Sequence, residues 1–184
     1  MVSYAEGAWG RELEGVGKIT FAMHTVSWNF LDVMGIEIVE GRDFFPSDEE
    51  PITGAMIFNQ TAQKKYGLTF ESKMMGHVYG YNANIIGFCQ DFNFYPAYRE
   101  IEPFAFLVCG QYGWTMPRHT YIRTTAGADI AEVKKFIFDT CMEVAPYADP
   151  EKIKIEFFDY ELELLYQRED KLSTLVTLFS FLSI

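Results

Sequence analysis

Hydrophobic and polar positions alternate along residues 16–26, "VGKITFAMHTV", which predicts a strand with one buried face. The following "SWNFLDVMG" predicts a short helix, with Ser27 as N-cap and Gly35 as its stop. "IEIVEGRDF" reads as a strand through Ile36 and Ile38 that turns at Gly41. Strand, helix and strand thus fall within about thirty residues, the usual size of such a unit. "DFFPSDEEPITG" is a polar loop, "AMIFN" a short strand, and "NQTAQKKYG" a short helix capped by Asn59 and closed by Gly67. "GHVYGYNANIIGFCQDF" predicts a β-hairpin turning near residues 80–82, "YPAYREIEP" is irregular, and "FAFLVCG" is a buried strand.

The last third repeats the opening pattern. "RHTYIRTT" and "IKIEFFD" read as strands on either side of a helix in "ADIAEVKKFIFDTCMEVAP". Ile130, Val133, Ile137, Cys141 and Val144 share one face of that helix, Asp129 caps it, and Pro146 lies beyond its end. The order predicts an α+β fold: two strand–helix–strand units (16–45 with 101–160) pair around an inserted, smaller β-rich part (46–100).

From residue 161 the chain predicts one long C-terminal helix, with neither Gly nor Pro through Ile184. Charge ends at Lys171, after which Ser173, Thr177, Ser180 and Ser183 recur at intervals of four, three and three on one face. Small hydroxyl residues on an apolar helix suit close helix packing in lipid. A full span takes about 20 apolar residues, so 172–184 fits the start of a transmembrane helix; an ordinary C-terminal core helix is the alternative. Residues 156–171 carry six acids and two bases, which points to an extracytoplasmic flank, since cytoplasmic flanks are rich in Lys and Arg.

Composition narrows the classes further. The chain has 184 residues, 49% of them hydrophobic, with 17 Phe and 11 Tyr, enough for a packed core and too aromatic for a disordered chain. A net charge of −11 argues against sequence-independent binding of nucleic acid or anionic lipid. Cys89, Cys109 and Cys141 form no CxxC pair and each sits in an apolar stretch; buried thiols are the simple reading, and one disulfide in an oxidising compartment stays open. The opening "MVSYAEGAWG" lacks the basic-then-apolar pattern of a signal peptide. His24, His77 and His119 lack ligand spacing, and Ser27 beside His24 resembles no nucleophile elbow. Asp48, Glu49 and Glu50 lack the EF-hand spacing, and GxGxxG is absent. "NQT" at Asn59 is formally a glycosylation sequon, but a helix cap already accounts for it. The expectation is no catalytic residue, no cofactor and no metal.

Several stretches resemble the MacB-like periplasmic core domain of ABC-transporter permeases. "WNFLDVMGIEIVEGRDF" carries its Phe–Gly–Ile…Gly–Arg–x–Phe signature at Phe30, Gly35, Ile36, Gly41, Arg42 and Phe44. "MIFNQTAQKKYG" is similar to its next strand and Asn–x–x–Ala helix at Asn59 and Ala62. "NIIGFCQDFNFYPAYREIEP" resembles a block of permeases of Bacteroidetes type, at Ile85, Ile86, Gly87, Asp91, Phe92, Phe94, Ile101 and Pro103. "FFDYELELLYQREDKLSTLVTLFSFLSI" resembles the exit into a membrane helix, at Phe158, Asp159, Tyr166, Glu169, Phe179 and Ser180. Phe88 stands where Val is usual, Pro96 and Ala97 where Ser–Leu is common, and the first two dozen residues match poorly.

The resemblance implies a porter-like subdomain with a β-rich insert over residues 1–171, followed by the start of a membrane helix. It implies a non-catalytic periplasmic domain at the bacterial inner membrane, of MacB/FtsX type, that couples cytoplasmic ATP hydrolysis to export or extraction by mechanotransmission. The implied partners are a separate cytoplasmic ATPase subunit, a second permease copy or half, and a periplasmic adaptor or cargo protein. The motif residues have structural roles: Gly35 and Gly41 in tight turns, Arg42 and Asp43 tying a turn to a neighbour, Asp91 capping the next segment. Two further readings from other classes are an extracytoplasmic sensor or ligand-binding domain of a membrane receptor and a free-standing enzyme.

Overall fold

Two apolar runs, Ala55–Asn59 and Phe104–Val108, are buried at every position and stand next to each other at the centre of a sheet. A computed structural model describes residues 8–49, 54–72, 74–75, 83–92, 100–108 and 119–157. In chain order the elements are β1 (Ala8–Leu13), β2 (Gly17–Thr25), α1 (Phe30–Met34), β3 (Ile38–Gly41), a 3-10 turn (Pro46–Glu49), β4 (Ala55–Asn59) and α2 (Gln60–Tyr66). β5 (Met74–Met75), β6 (Asn84–Cys89), β7 (Phe104–Val108), α3 (Ile130–Val144) and a second 3-10 turn (Pro150–Lys152) follow. The seven strands form one mixed sheet in the order β3-β6-β4-β7-β2-β1-β5. β4 runs parallel to β6 and β2 parallel to β7, while the other neighbours are antiparallel.

Strand periodicity sorts the core into two clusters, one on each face. Phe104, Phe106 and Val108 of β7 join Ala55 and Ile57 of β4 and Cys89 of β6 on one face, beneath Phe30 and Leu31 of α1 and Phe44. Ala105 and Leu107 join Met56, Phe58, Ile85 and Phe88 on the other, where Ala62 and Tyr66 of α2 and Leu68 pack. Burial on both faces is why "AMIFN" and "FAFLV" carry continuous apolar runs instead of alternation. Phe88, the departure from the usual Val, is fully buried in this layer and meets the ring of Phe70 at 5.4 Å.

The chain divides into two compact units, Ser3–Arg123 and the remainder from Thr124 onward together with Met1–Val2. The first holds the whole sheet with α1 and α2; the second holds α3 and the second 3-10 turn. Within the second unit, Asp129 Oδ1 accepts from the N–H groups of Ala131 and Glu132, capping α3 as expected. Val133, Ile137 and Cys141 are half-buried, but Ile130 and Val144, at the two ends of the predicted face, are exposed.

The α+β class is borne out, and several elements differ from expectation. β1, not foreseen, forms a hairpin with β2 through Gly15 and Gly17, both at positive φ. β2 and β3 are separated in the sheet by β7, β4 and β6, so the first strand–helix–strand unit does not pair its own strands. α1 begins later than expected: Asn29 is its N-cap, and the Ser27 hydroxyl donates to Asn29 Oδ1 at 2.9 Å. β6 lies between β3 and β4; the first strand of the expected hairpin falls outside the described residues.

Neither predicted strand beside α3 is formed among the described residues 119–125 and 153–157. Ile153, Ile155 and Phe157 still alternate half-buried with exposed residues. Period-two alternation reports which side is covered, not whether a ladder forms. The long helix from residue 161 and the membrane-like run at 172–184 lie outside the described residues. Among the described residues, no helix is long and apolar enough to cross a membrane.

Two glycines fix how β3 and β6 cross. Gly41 (φ +83°) and Gly87 are register partners, next to an irregular step between Ile38 and Glu40. A Cβ on Gly41 would meet Ile86 O inside contact distance, and one on Gly87 would stand 2.5 Å from Arg42 O. Both obstacles are backbone and cannot rotate away. Gly41→Ala and Gly87→Ala are each expected to cost about 2–4 kcal/mol by urea unfolding. Gly67→Ala, also at positive φ but with open space at its Cβ, is expected to cost only about 1 kcal/mol.

Candidate functional site

Three motif residues, Asn59, Asp91 and Pro103, meet at the junction where β4 ends, α2 starts and β7 begins. Asn59 closes β4 in extended conformation and N-caps α2. Its side-chain oxygen accepts from Ala62 N–H at 3.0 Å and from Phe104 N–H at 2.9 Å, while its amide nitrogen donates to Glu102 O at 3.0 Å. The residue is only 1% exposed, the one polar side chain among the buried residues described. A carboxamide is the neutral side chain that offers both acceptor and donor here. In effect the Asn59 side chain extends the β4–β7 ladder beyond the Phe58–Ala105 pair. Burial also leaves no room for a glycan on this sequon.

Asp91, just past β6, secures the same helix start. Its two carboxylate oxygens accept from Thr61 N–H at 2.9 Å and from the Thr61 hydroxyl at 3.0 Å. With the Ala62 N–H held by Asn59, two of the unpaired N–H groups at the start of α2 are satisfied, and Asp91 places an anion at the positive end of the helix. The segment after Asp91, which it was expected to cap, lies outside the described residues. Pro103, buried, turns its carbonyl to Ala22 N–H at 2.9 Å. β7 is therefore fixed at its first residues to β2 on one side and to Asn59 on the other.

A second group lies in the loop after β3. Arg42 N–H donates to Ile86 O at 3.1 Å, and its guanidinium makes a two-pronged pair with Asp48 at 2.7 and 2.9 Å. The guanidinium also lies 4.9 Å from the centre of the Phe45 ring. Asp48 accepts in addition from Phe45 N–H, and Glu49 Oε1 accepts from Trp28 N–H at 3.2 Å. The bond to Arg42 holds the Asp48 carboxyl below its usual value and raises that of Arg42, whereas burial raises Asp43. These acids hold the loop together, which explains their clustering without a bound cation. Phe44, between them, is buried.

The third group is aromatic. Phe30 meets Phe106 at 5.6 Å and Tyr121 at 5.4 Å, and Phe92 meets both Phe104 and Phe106 at 5.1 Å. Gly35 (φ +70°) closes α1 by donating its N–H to Asp32 O, and Ile36 N–H reaches Leu31 O. Arg123 donates from Nε to Val33 O at 2.9 Å and from Nη2 to Asp32 O. Tyr121 and Arg123 were missed by sequence reasoning. Their only signal was the run "RHTYIRTT", which read as a strand.

Of the remaining motif residues, Ile85 and Ala62 lie in one core cluster, Ile36 and Ile86 pack against the other, and Ile101 is exposed. Asp159, Tyr166 and Glu169, with Phe94, Phe158, Phe179 and Ser180, lie outside the described residues. So do His77 and Cys109. Among the described residues no group of three His, Cys, Asp or Glu is placed to hold a metal. Cys89 and Cys141 are free thiols, and burial pushes Cys89 up to about 12, which keeps it unreactive.

Asn59→Ala strands two N–H groups and one carbonyl in a buried site and is expected to cost about 3 kcal/mol or more by urea unfolding. Asn59→Asp keeps the acceptors but buries a charge, so its deficit should shrink as pH is lowered from 7 to 5. The Asp48 carboxyl, depressed in the fold, contributes stability above its usual value of 3.8, and that contribution is lost as pH falls through the lower folded value. With Arg42 largely in water the gain is modest, about 1 kcal/mol or less. Asp48→Asn should flatten the acid limb of a thermal-stability profile between pH 5 and about 2.

No protein-family model matches the sequence, and no curated protein matches it. Solved structures do show likeness. A domain of a protein described as a permease from Porphyromonas gingivalis superposes with a TM-score of 0.50 at 15% identity, over 77% of this chain and 70% of that one. The periplasmic region of MacB from Actinobacillus actinomycetemcomitans gives 0.46 at 10% identity, over 77% and 68%. The extracellular domain of the noncanonic ABC-type transporter YknZ from Gram-positive bacteria gives 0.38 at 13%, over 56% and 52%. On the strength of the Porphyromonas gingivalis domain, the chain has the α+β fold of that permease domain.

Proposed function

We propose that the chain is the non-catalytic extracytoplasmic domain of an ABC-transporter permease of MacB/FtsX type. It sits on the periplasmic side of a bacterial inner membrane and couples cytoplasmic ATP hydrolysis to export or extraction of a substrate. The observation that carries this reading is the shared fold with the Porphyromonas gingivalis permease domain over 77% of the chain. The ordered sequence motifs support it independently. So does the placement of Gly41, Asn59, Gly87 and Asp91, whose contacts hold strands and helix ends in register.

In this reading the domain works by mechanotransmission, and residues 172–184 begin a membrane helix. Its partners are a separate cytoplasmic ATPase subunit, a second permease copy or half, and a periplasmic adaptor or cargo protein. The test uses the full-length gene product in its own membrane. Protease should cut the domain in spheroplasts and spare it in inverted vesicles, and an ATPase subunit should co-purify in detergent. Deleting residues 3–123 should leave basal ATP hydrolysis in place and abolish export. Unimpaired export by the deletion variant, or a domain cleaved only from the cytoplasmic side, would overturn the proposal.

A further inference from the structure

The five residues 119–123 belong to no ladder, yet they end the sheet-bearing unit, whose last residue is Arg123. Side chains hold them instead. The half-buried Tyr121 ring stands edge-on to Phe30 at 5.4 Å, and the Arg123 guanidinium closes on Val33 O and Asp32 O, the carbonyls of the last turn of α1. A cation at that end of a helix meets the negative pole of its dipole; Asp32 O, which already accepts from Gly35 N–H, takes Arg123 as a second donor. Gly35, at φ +70°, ends α1 beside this guanidinium, and a Cβ there would stand in ordinary contact with Arg123 Nη2 at 3.4 Å. Phe30 in turn packs on Phe106 in the middle of β7.

We propose that Tyr121 and Arg123 form a latch, a strap held to α1 by two side chains, through which displacement of the chain beyond Thr124 reaches α1 first and β7 through Phe30. Arg123 is exposed, so water competes for its two bonds and the strap can open without unfolding the sheet. Use of the latch as a coupling element rests on the relay function proposed above; the latch itself does not.

A nitroxide at Ile122→Cys, an exposed position, reads the strap directly in the 184-residue chain with Cys109 and Cys141 replaced by Ser. The spectrum should be dominated by a restricted component. Arg123→Ala should raise the mobile fraction several-fold. Arg123→Lys should fall between, because a point charge reaches one carbonyl more readily than two. Tyr121→Phe should stay restricted and Tyr121→Ala should not. A second label at Val39→Cys in β3 should be unaffected by every change at 121 or 123. Equal mobility with and without Arg123, or an equal change at Val39, would overturn the latch. Either result leaves the transporter assignment standing, and a failed export assay would leave the latch standing.

Discussion

One buried carboxamide sets the arrangement of the sheet. Asn59 ends a strand, starts a helix, and binds the first residues of a strand more than forty positions later in the chain. Its three hydrogen bonds are made by a side chain that is almost fully buried, where a missing partner costs more than a formed bond gains. The site therefore accepts one geometry. Given that geometry, β7 enters beside β4 in a single register, with Phe106 opposite Ile57, and the alternation of both strands delivers a large side chain to each face.

The rest of the first unit follows from having both faces to cover. α2, held by Asn59 and Asp91 at its start, lies over the Phe21–Phe58–Phe88 side. α1, closed by Gly35 and Arg123 at its end, lies over the Phe104–Phe106 side. Both helices are too short to persist alone, so α2 depends on the strand ends that cap it and α1 on its packing over β7 and on Arg123. At the far edge, the Gly41–Gly87 crossing lets β3 approach β6 closely enough for Arg42 N–H to bond Ile86 O. In the next loop Asp48 pairs with Arg42, while Asp43 and Glu49 accept from backbone N–H groups.

Much of this was legible in the sequence because the signals were local. "NQTAQKKYG" carried cap, helix and stop together, and Asp129 and Pro146 bounded α3 in the same way. "AMIFN" and "FAFLV" were legible as buried strands by length and composition. What was not legible was non-local: that β6 sits between β3 and β4, and that "AWGREL" pairs with β2. "RHTYIRTT" misled because its β-branched and aromatic residues suit a strand, whereas here Tyr121 alone is half-buried, against Phe30, and no ladder forms. The candidate site was visible as motif residues, but their convergence on one junction was not, since Glu102 and Phe104 contribute only backbone atoms.

In the sheet-bearing unit, Asn59 and Asp91 are committed to holding strand and helix ends in register. The claim at the base of that account is that the Asn59 junction is as stable as the core. Native-state hydrogen exchange at the Phe104 amide tests it most directly. The account predicts that this amide, bonded to a side chain and not to a ladder, exchanges only by global unfolding, with the same free energy as the amides of Ile57 and Phe106. Exchange orders of magnitude faster than those two would contradict it.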